Sequence, residues 1–327
     1  LRILHGTIEI AGQMGILSGE QKRRGHWAVG YNIFHSYLGY RDHLINTVAH
    51  EIARTHHHML HFFDLFHFHY GSSLLEDNAD LPAIARLGKK MVMHHWGNDV
   101  RFHDVARRNN PYVYTWDSPP NEVIRERLTR LSRYIKHAIV QDYEVYEYVA
   151  PYYEQVHVVP IAIDLTAFPP EHQSAARSKP LVLHAPTNPD FKGTSHVENA
   201  IAELQKTHDF EYRRIQQLSH TQAIQLYREA DIIIDQVRCG SYGLLSVETM
   251  ALGKPVIAYI RDDLLSRFPP ELPVYNANPD NLGQRLRELL ENPALRHDLG
   301  ARGRQYVEKY HAKEVVVQKL ESIYASL

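Results

Sequence analysis

Short apolar runs, breaks of glycine, proline and polar residues, and helix-period segments succeed one another along the whole chain. Residues 2–5, 64–70, 89–95, 138–141 and 157–163 are apolar runs too short for free-standing helices and are predicted as strands. Between them, residues 121–137 carry an apolar stripe of Ile124, Leu128, Leu131 and Ile135, entered through Ser118-Pro119-Pro120 as cap and first turn. The second half repeats the scheme. Residues 181–184 predict a strand, and Ser195-x-x-Glu198 predicts a capping box before a helix that buries Val197, Ile201 and Leu204. Ser219-x-x-Gln222 opens another helix, residues 231–235 a strand, 244–252 a helix and 255–260 a strand. Strands alternating with helices imply parallel sheets covered on both faces. The expected fold is α/β: two doubly wound, Rossmann-like domains, residues 1–166 and 181–327, joined by a linker over 167–180. The last helix is free to pack back on the first domain.

Composition narrows the function. The chain has 327 residues, with 36 Lys plus Arg against 38 Asp plus Glu, so a protein that coats nucleic acid is disfavoured. One cysteine, Cys239, excludes a disulfide framework and a Cys-x-x-Cys metal site and fits a reducing compartment. No apolar run approaches the ~18 residues of a membrane span, and no signal-like segment opens the chain. The expectation is a soluble, cytoplasmic protein. Arg125, Arg127, Arg130, Arg133 and Lys136 crowd one helix, the face that would meet an anionic inner membrane surface; Glu122 and Glu126 dilute it towards an ordinary solvated face.

In doubly wound sheets ligands sit at the carboxyl ends of strands, near helix N-termini. Two clusters of the second half follow strands. The first, residues 184–194, contains Thr187 and the pair Lys192-Gly193. Lysine supplies a compact charge there and glycine lets backbone amides approach an anion. The second, residues 238–258, holds Arg238, Gly240, Ser241, Tyr242, Gly243, Leu244 and Glu248 and enters a helix whose first amides can face a diphosphate. Alone, the first reads as a surface lysine beside a helix-start glycine and the second as an ordinary helix between two buried strands.

Together they resemble a family signature. Gly243-Leu244-x-x-x-Glu248-x-Met250-Ala251-x-Gly253-x-Pro255-Val256-Ile257-Ala258, with Lys192-Gly193 before it and Pro160-Ile161-Ala162-Ile163-Asp164 before the linker, is similar to the retaining GT-B glycosyltransferases of group 1, related to glycogen synthase. The resemblance is dense over residues 181–310 and thinner before. It implies two domains facing each other across a cleft, with a nucleotide-sugar donor of UDP or GDP type on the second. The first would hold a carbohydrate, lipid-linked or small-molecule acceptor. Lys192 would contact donor phosphates, Glu248 the ribose, amides near Gly243 and Leu244 the phosphates, and the loop around Gly12 would approach the donor from the other domain. Two positions depart: Gly240 stands where the family has the first glutamate of a Glu-x7-Glu pair, and Thr187 where it has an arginine. Arg238 is the candidate replacement for that charge.

The 23 histidines, 16 of them in the first half, are unusual. His50-Glu51 fails the zinc pattern because Arg54 stands where its second histidine belongs. His57 and His61, spaced i,i+4, could share a metal but lack further ligands at matching spacing. His67 and His69 alternate on one strand face. His94-His95-Trp96-Gly97-Asn98-Asp99-Val100-Arg101 is similar to the family's His-Gly-x-Asp segment with Trp96 in the histidine slot; His94 or His95 is then the catalytic candidate. Asp99 and Arg101 are acceptor-side residues or a structural ion pair. The expected activity is metal-independent, cofactor-free transfer with retention. The alternatives are a sugar-nucleotide-binding subunit without transfer activity and a nucleotide-sugar epimerase.

Overall fold

The computed structural model describes residues 1–170 and 179–327, so most of the expected linker lies outside the described residues. The chain divides into two units. The first comprises Leu1–Val105, Ser118–Ala162 and Lys313–Leu327, the second Ala106–Asp117 and Ile163–Ala312.

The first unit is built on seven parallel strands: β1 (Arg2–Thr7), β2 (Trp27–Asn32), β3 (Leu44–Asn46), β4 (Leu65–His69), β5 (Lys90–His95), β6 (His137–Val140) and β7 (Gln155–Val158). Their order is β3-β2-β1-β4-β5-β6-β7. One face packs Ile3, Leu65, Val92 and Ile139 against Leu17 of the helix Gln13–Arg23 and Val316, Val317 and Leu320 of the helix Lys313–Ser326. His5, His67, His69 and His94 continue that face towards the carboxyl edge, because residues two apart on a strand share a side.

The second unit holds β8 (Leu181–His184), β9 (Glu211–Arg214), β10 (Ile232–Ile234), β11 (Val256–Ala258) and β12 (Tyr275–Asn276), all parallel, in the order β12-β11-β10-β8-β9. Val182, Ile232, Ile234 and Ile257 pack under Val197, Ile201, Leu282 and Leu286 of two covering helices. Strand order reverses between β1 and β4 in the first sheet and between β8 and β10 in the second. Ligands of such sheets sit where the order reverses, outside the strand ends.

Several local expectations are corrected. The helix Thr194–Leu204 starts one residue before Ser195, with Gly193 as its cap and no side-chain cap bond, so the Ser195 capping box does not form. Asn188 caps the preceding short helix Pro189–Lys192 instead, accepting from the amides of Asp190 and Phe191. The helix entered at Asn121 ends at Ser132, not 137, and Ser118 does not cap it. The Ser219–Gln222 box forms in full. β2, β3, β9 and β12 carry no clear apolar alternation in the sequence.

Candidate functional site

At the reversal point of the second sheet, the loops after β8 and β10 meet. Lys192 closes the short helix after β8, and its backbone carbonyl accepts from Val237 N at 3.1 Å. The Lys192 ammonium reaches Asp235 Oδ1 at 2.6 Å and Gln236 Oε1 at 2.8 Å, both just past β10. The other oxygen of Asp235 takes Ser246 Oγ at 2.7 Å and the amides of Gly243 and Ser246 at 3.3 and 3.2 Å. One buried carboxylate thus holds the lysine and the N-terminus of the helix Leu244–Ala251 together. Burial alone would raise the Asp235 pKa. The charge and hydrogen bond of Lys192, with the bonds from Ser246 and Gly243, outweigh it and hold Asp235 below its ordinary value.

One turn further along that helix, Glu248 pairs with His220 Nε2. Burial works to lower the His220 pKa, but the hydrogen bond to Glu248 and the charge of that carboxylate outweigh it and raise it. Arg238 donates from Nε to Tyr112 O at 2.6 Å and from Nη1 to Asp190 O at 2.9 Å, and its guanidinium lies 5.6 Å from the Tyr114 ring centroid. Asn110 ties the same segment, donating to the carbonyls of Arg238 and Cys239 at 2.8 and 3.0 Å. Thr187 is exposed, and Ser241 is buried, its carbonyl accepting from the Gln236 amide. Gly240 stands at φ +96° and its carbonyl accepts from Arg261 N at 3.0 Å. Tyr242 differs from expectation: its hydroxyl lies 3.0 Å from His311 Nε2 and 3.3 Å from Tyr306 Oη, and its ring packs on Phe268. The side chain braces the interior of the unit, and only its backbone remains on the loop.

In the first unit, Gly12 is the left-handed cap (φ +74°) of the helix Gln13–Arg23. The free amides of that helix are already occupied: Glu9 accepts from Met14 N at 3.2 Å and Gly15 N at 3.1 Å. Burial pushes the Glu9 pKa up to about 8 despite these bonds. Glu9 lines a cavity of about 310 Å³ with Asn32, Ser36, Tyr40 and Arg41.

Around the end of β5 the expected residues separate into distinct roles. His95 is fully buried between Asp99 Oδ2 (2.6 Å) and the Tyr153 hydroxyl (2.8 Å). Asp99 also accepts from the amides of Trp96 and Gly97 at 2.9 and 3.1 Å. Arg101 does not pair with Asp99. It forms a buried bidentate bridge to Glu144 (2.8 and 2.9 Å), which also accepts from the Tyr148 hydroxyl at 2.6 Å. Asp99 and Arg101, expected on the acceptor side, and His95, expected as a catalytic candidate, are each engaged inside the strand end, and the Arg101–Glu144 charges are buried as a pair. His94 Nε2 is a buried nitrogen with no hydrogen-bond partner.

Sequence reasoning missed Asp235, Gln236, His220, Asn110 and Glu9. Asp235 had a signal, since an aspartate ending an apolar strand before a glycine loop needs donors. Asn110 and His220 lie far in sequence from the groups they meet and had none.

Residues 177–322, a little under half the chain, match a family model described as glycosyl transferase-like. An uncharacterized glycosyltransferase of Methanocaldococcus jannaschii is 25% identical over 142 residues, 42% of this chain and 39% of the relative, so the alignment spans about two fifths of that protein. Whole-chain likeness comes from structure. HepE of Anabaena, in complex with UDP and glucose, superposes with a TM-score of 0.71 at 11% identity, covering 100% of both chains. Sucrose-phosphate synthase of Thermosynechococcus elongatus gives 0.64 at 15%, covering 100% of this chain and 99% of that one. WaaG, a glycosyltransferase involved in lipopolysaccharide biosynthesis, gives 0.64 at 12%, covering 98% and 99%. The fold is GT-B. The GT-B likeness runs from end to end, whereas the family match is confined to residues 177–322. Among the described residues no helix is long and apolar enough to cross a membrane.

Proposed function

We propose that the protein is a retaining, metal-independent glycosyltransferase that takes a sugar from a UDP- or GDP-type donor to the hydroxyl of a carbohydrate, lipid-linked or small-molecule acceptor. The observation that carries this reading is the Lys192–Asp235 pair set over the start of the helix Leu244–Ala251, at the reversal point of the second sheet. An ammonium has three N–H donors, and two are engaged by Asp235 and Gln236, leaving one to meet a phosphate oxygen. The amides of Leu244 and Leu245, in the first turn, would complete the diphosphate site. Glu248, held by His220, would accept from ribose hydroxyls. Breaking the sugar–phosphate C–O bond builds positive charge on the sugar and negative charge on the departing diphosphate, and preorganised donors stabilise that charge. The acceptor hydroxyl would add to the sugar from the side the diphosphate leaves and pass its proton to that diphosphate. The epimerase alternative draws its acid–base pair from first-half histidines; burial lowers the pKa of His5, His67, His69 and His94, which makes them poor proton carriers.

The test is a melting-temperature screen with UDP, GDP and their hexose conjugates, followed by donor hydrolysis with and without excess EDTA. A donor at about 100-fold above its Kd adds about 2.7 kcal/mol of apparent stability. The expected result is one stabilising nucleotide class and hydrolysis that survives EDTA. No stabilisation by any of them defeats the reading, and EDTA-sensitive turnover restored by manganese defeats its metal independence.

A further inference from the structure

Four buried imidazoles on the covered face of the first sheet join Gln21, Tyr324 and Trp96 in one chain of hydrogen bonds. Trp96 fixes its direction, because an indole N–H only donates. Trp96 Nε1 donates to His69 Nδ1 at 3.3 Å, so neutral His69 carries its proton on Nε2. That N–H lies 3.0 Å from His5 Nδ1, which must accept, leaving His5 Nε2–H to donate to Gln21 Oε1 at 2.8 Å. The Gln21 amide nitrogen donates to the Tyr324 hydroxyl at 3.1 Å. The phenol proton then goes to His67 Nδ1, 2.6 Å away, and His67 Nε2–H donates to His94 Nδ1 at 3.2 Å. The last proton of the series sits on His94 Nε2, a buried nitrogen with no partner.

We propose that this directional relay holds His94 as the neutral Nε2–H tautomer, and that Tyr324, on the closing helix of the chain, is the positioning residue that sets it. Each step uses one donor and one acceptor, and Tyr324 is the only junction at which the order could reverse: without the phenol proton, His67 has no reason to keep Nδ1 free. The relay also explains why the cluster is not arranged as a metal site, although His5, His67 and His69 bring nitrogens within 4.8 Å of one another. The His67 and His69 rings are stacked at 4.5 Å and 8°, and no point lies in the planes of two parallel rings, as a shared metal would require. A buried donor left unbonded is costly, so His94 Nε2–H is satisfied when an acceptor oxygen reaches it. That this oxygen belongs to the transferred sugar rests on the proposed function; the tautomer assignment does not.

The experiment is ¹⁵N NMR of imidazole nitrogens in ligand-free wild type, Tyr324→Phe and Trp96→Phe. Wild type should show His5, His67, His69 and His94 each with a pyrrole-type Nε2 and a pyridine-type Nδ1. Tyr324→Phe should convert His67 and His94 to tautomer mixtures and leave His69 unchanged; Trp96→Phe, which removes the donor that fixes the direction of the chain, should convert His69 and His5 as well as His67 and His94. A His94 proton on Nδ1 in wild type, or a His94 spectrum unmoved in a folded Tyr324→Phe, overturns the proposal. If Tyr324→Phe does not fold, the wild-type pattern and the Trp96→Phe spectrum still decide it. Because no donor is present, failure of the glycosyltransferase reading would show in the nucleotide screen and not here.

Discussion

Lys192 is both a candidate phosphate ligand and the counter-charge of Asp235, and the two roles make separable demands. On the proposed function, removing it takes a donor from the leaving diphosphate, and such a loss typically lowers turnover by about 10²–10³. It also leaves Asp235 buried without its cation; breaking a buried pair costs about 3–5 kcal/mol, with the lower end expected here because Ser246 and Gly243 still bond the carboxylate. Lys192→Ala should therefore lose turnover and melt several degrees lower. Adding Asp235→Asn should restore most of the stability and none of the turnover. Urea melts and donor hydrolysis on the wild type and the two variants check both halves. If Lys192→Ala keeps activity within threefold, the phosphate site lies elsewhere.

The elements depend on where backbone crowding permits a side chain. Gly193 links the two helices after β8 at φ +82°, and a Cβ there would lie 2.7 Å from Val237 Cγ2 and 2.9 Å from Arg238 Cγ. Gly283, inside the helix Leu282–Glu291, has open space at the same position. Gly193→Ala should destabilise by roughly 2–4 kcal/mol through strain and overpacking, and Gly283→Ala should stabilise by about 0.5–1 kcal/mol through helix propensity. Equal effects in urea melts would contradict this account. The same contrast marks how far the sequence could be read. Lys192-Gly193 and the run from Gly243 to Ala258 were legible because backbone geometry and charge impose residue types at short spacing. β9, an edge strand reading Glu-Tyr-Arg-Arg, was not, because one side of it has no neighbour to demand alternation. Ser195 looked like a cap because its pattern was right; the left-handed Gly193 caps the helix two residues earlier. Arg101 and Tyr242 were visible as chemistry, but their partners Glu144 and His311 lie 43 and 69 residues away and only the fold brings them together.

At the scale of the molecule, the buried histidines set the acid limit. Burial lowers His5 in the first unit and His184 in the second to about 4 from an ordinary 6.5. His184 is locked between Ile234 O and Thr194 Oγ1 at 2.8 and 2.9 Å. A base whose folded pKa is depressed binds protons more readily when unfolded, so its stabilisation is complete above pH 6.5 and declines as pH falls towards 4. Each of the two forfeits about 3 kcal/mol over that window. Together that approaches the ~5–15 kcal/mol of a whole domain, and His67, His69 and His94 add in the same direction. Glu9 has the opposite sign. Its folded pKa is raised to about 8, so its contribution is full below 4.5 and is lost as pH rises through 8. Stability should peak between about pH 6.5 and 7.5 and fall on both sides, with acid unfolding complete before about pH 4. Glu9→Gln should remove the alkaline decline, roughly 3 kcal/mol between pH 6 and 8, and leave the acid limb in place. Urea melts of both proteins from pH 4.5 to 9 measure this, and an acid limb that begins only below pH 4.5 would mean that the histidines are not held neutral by burial.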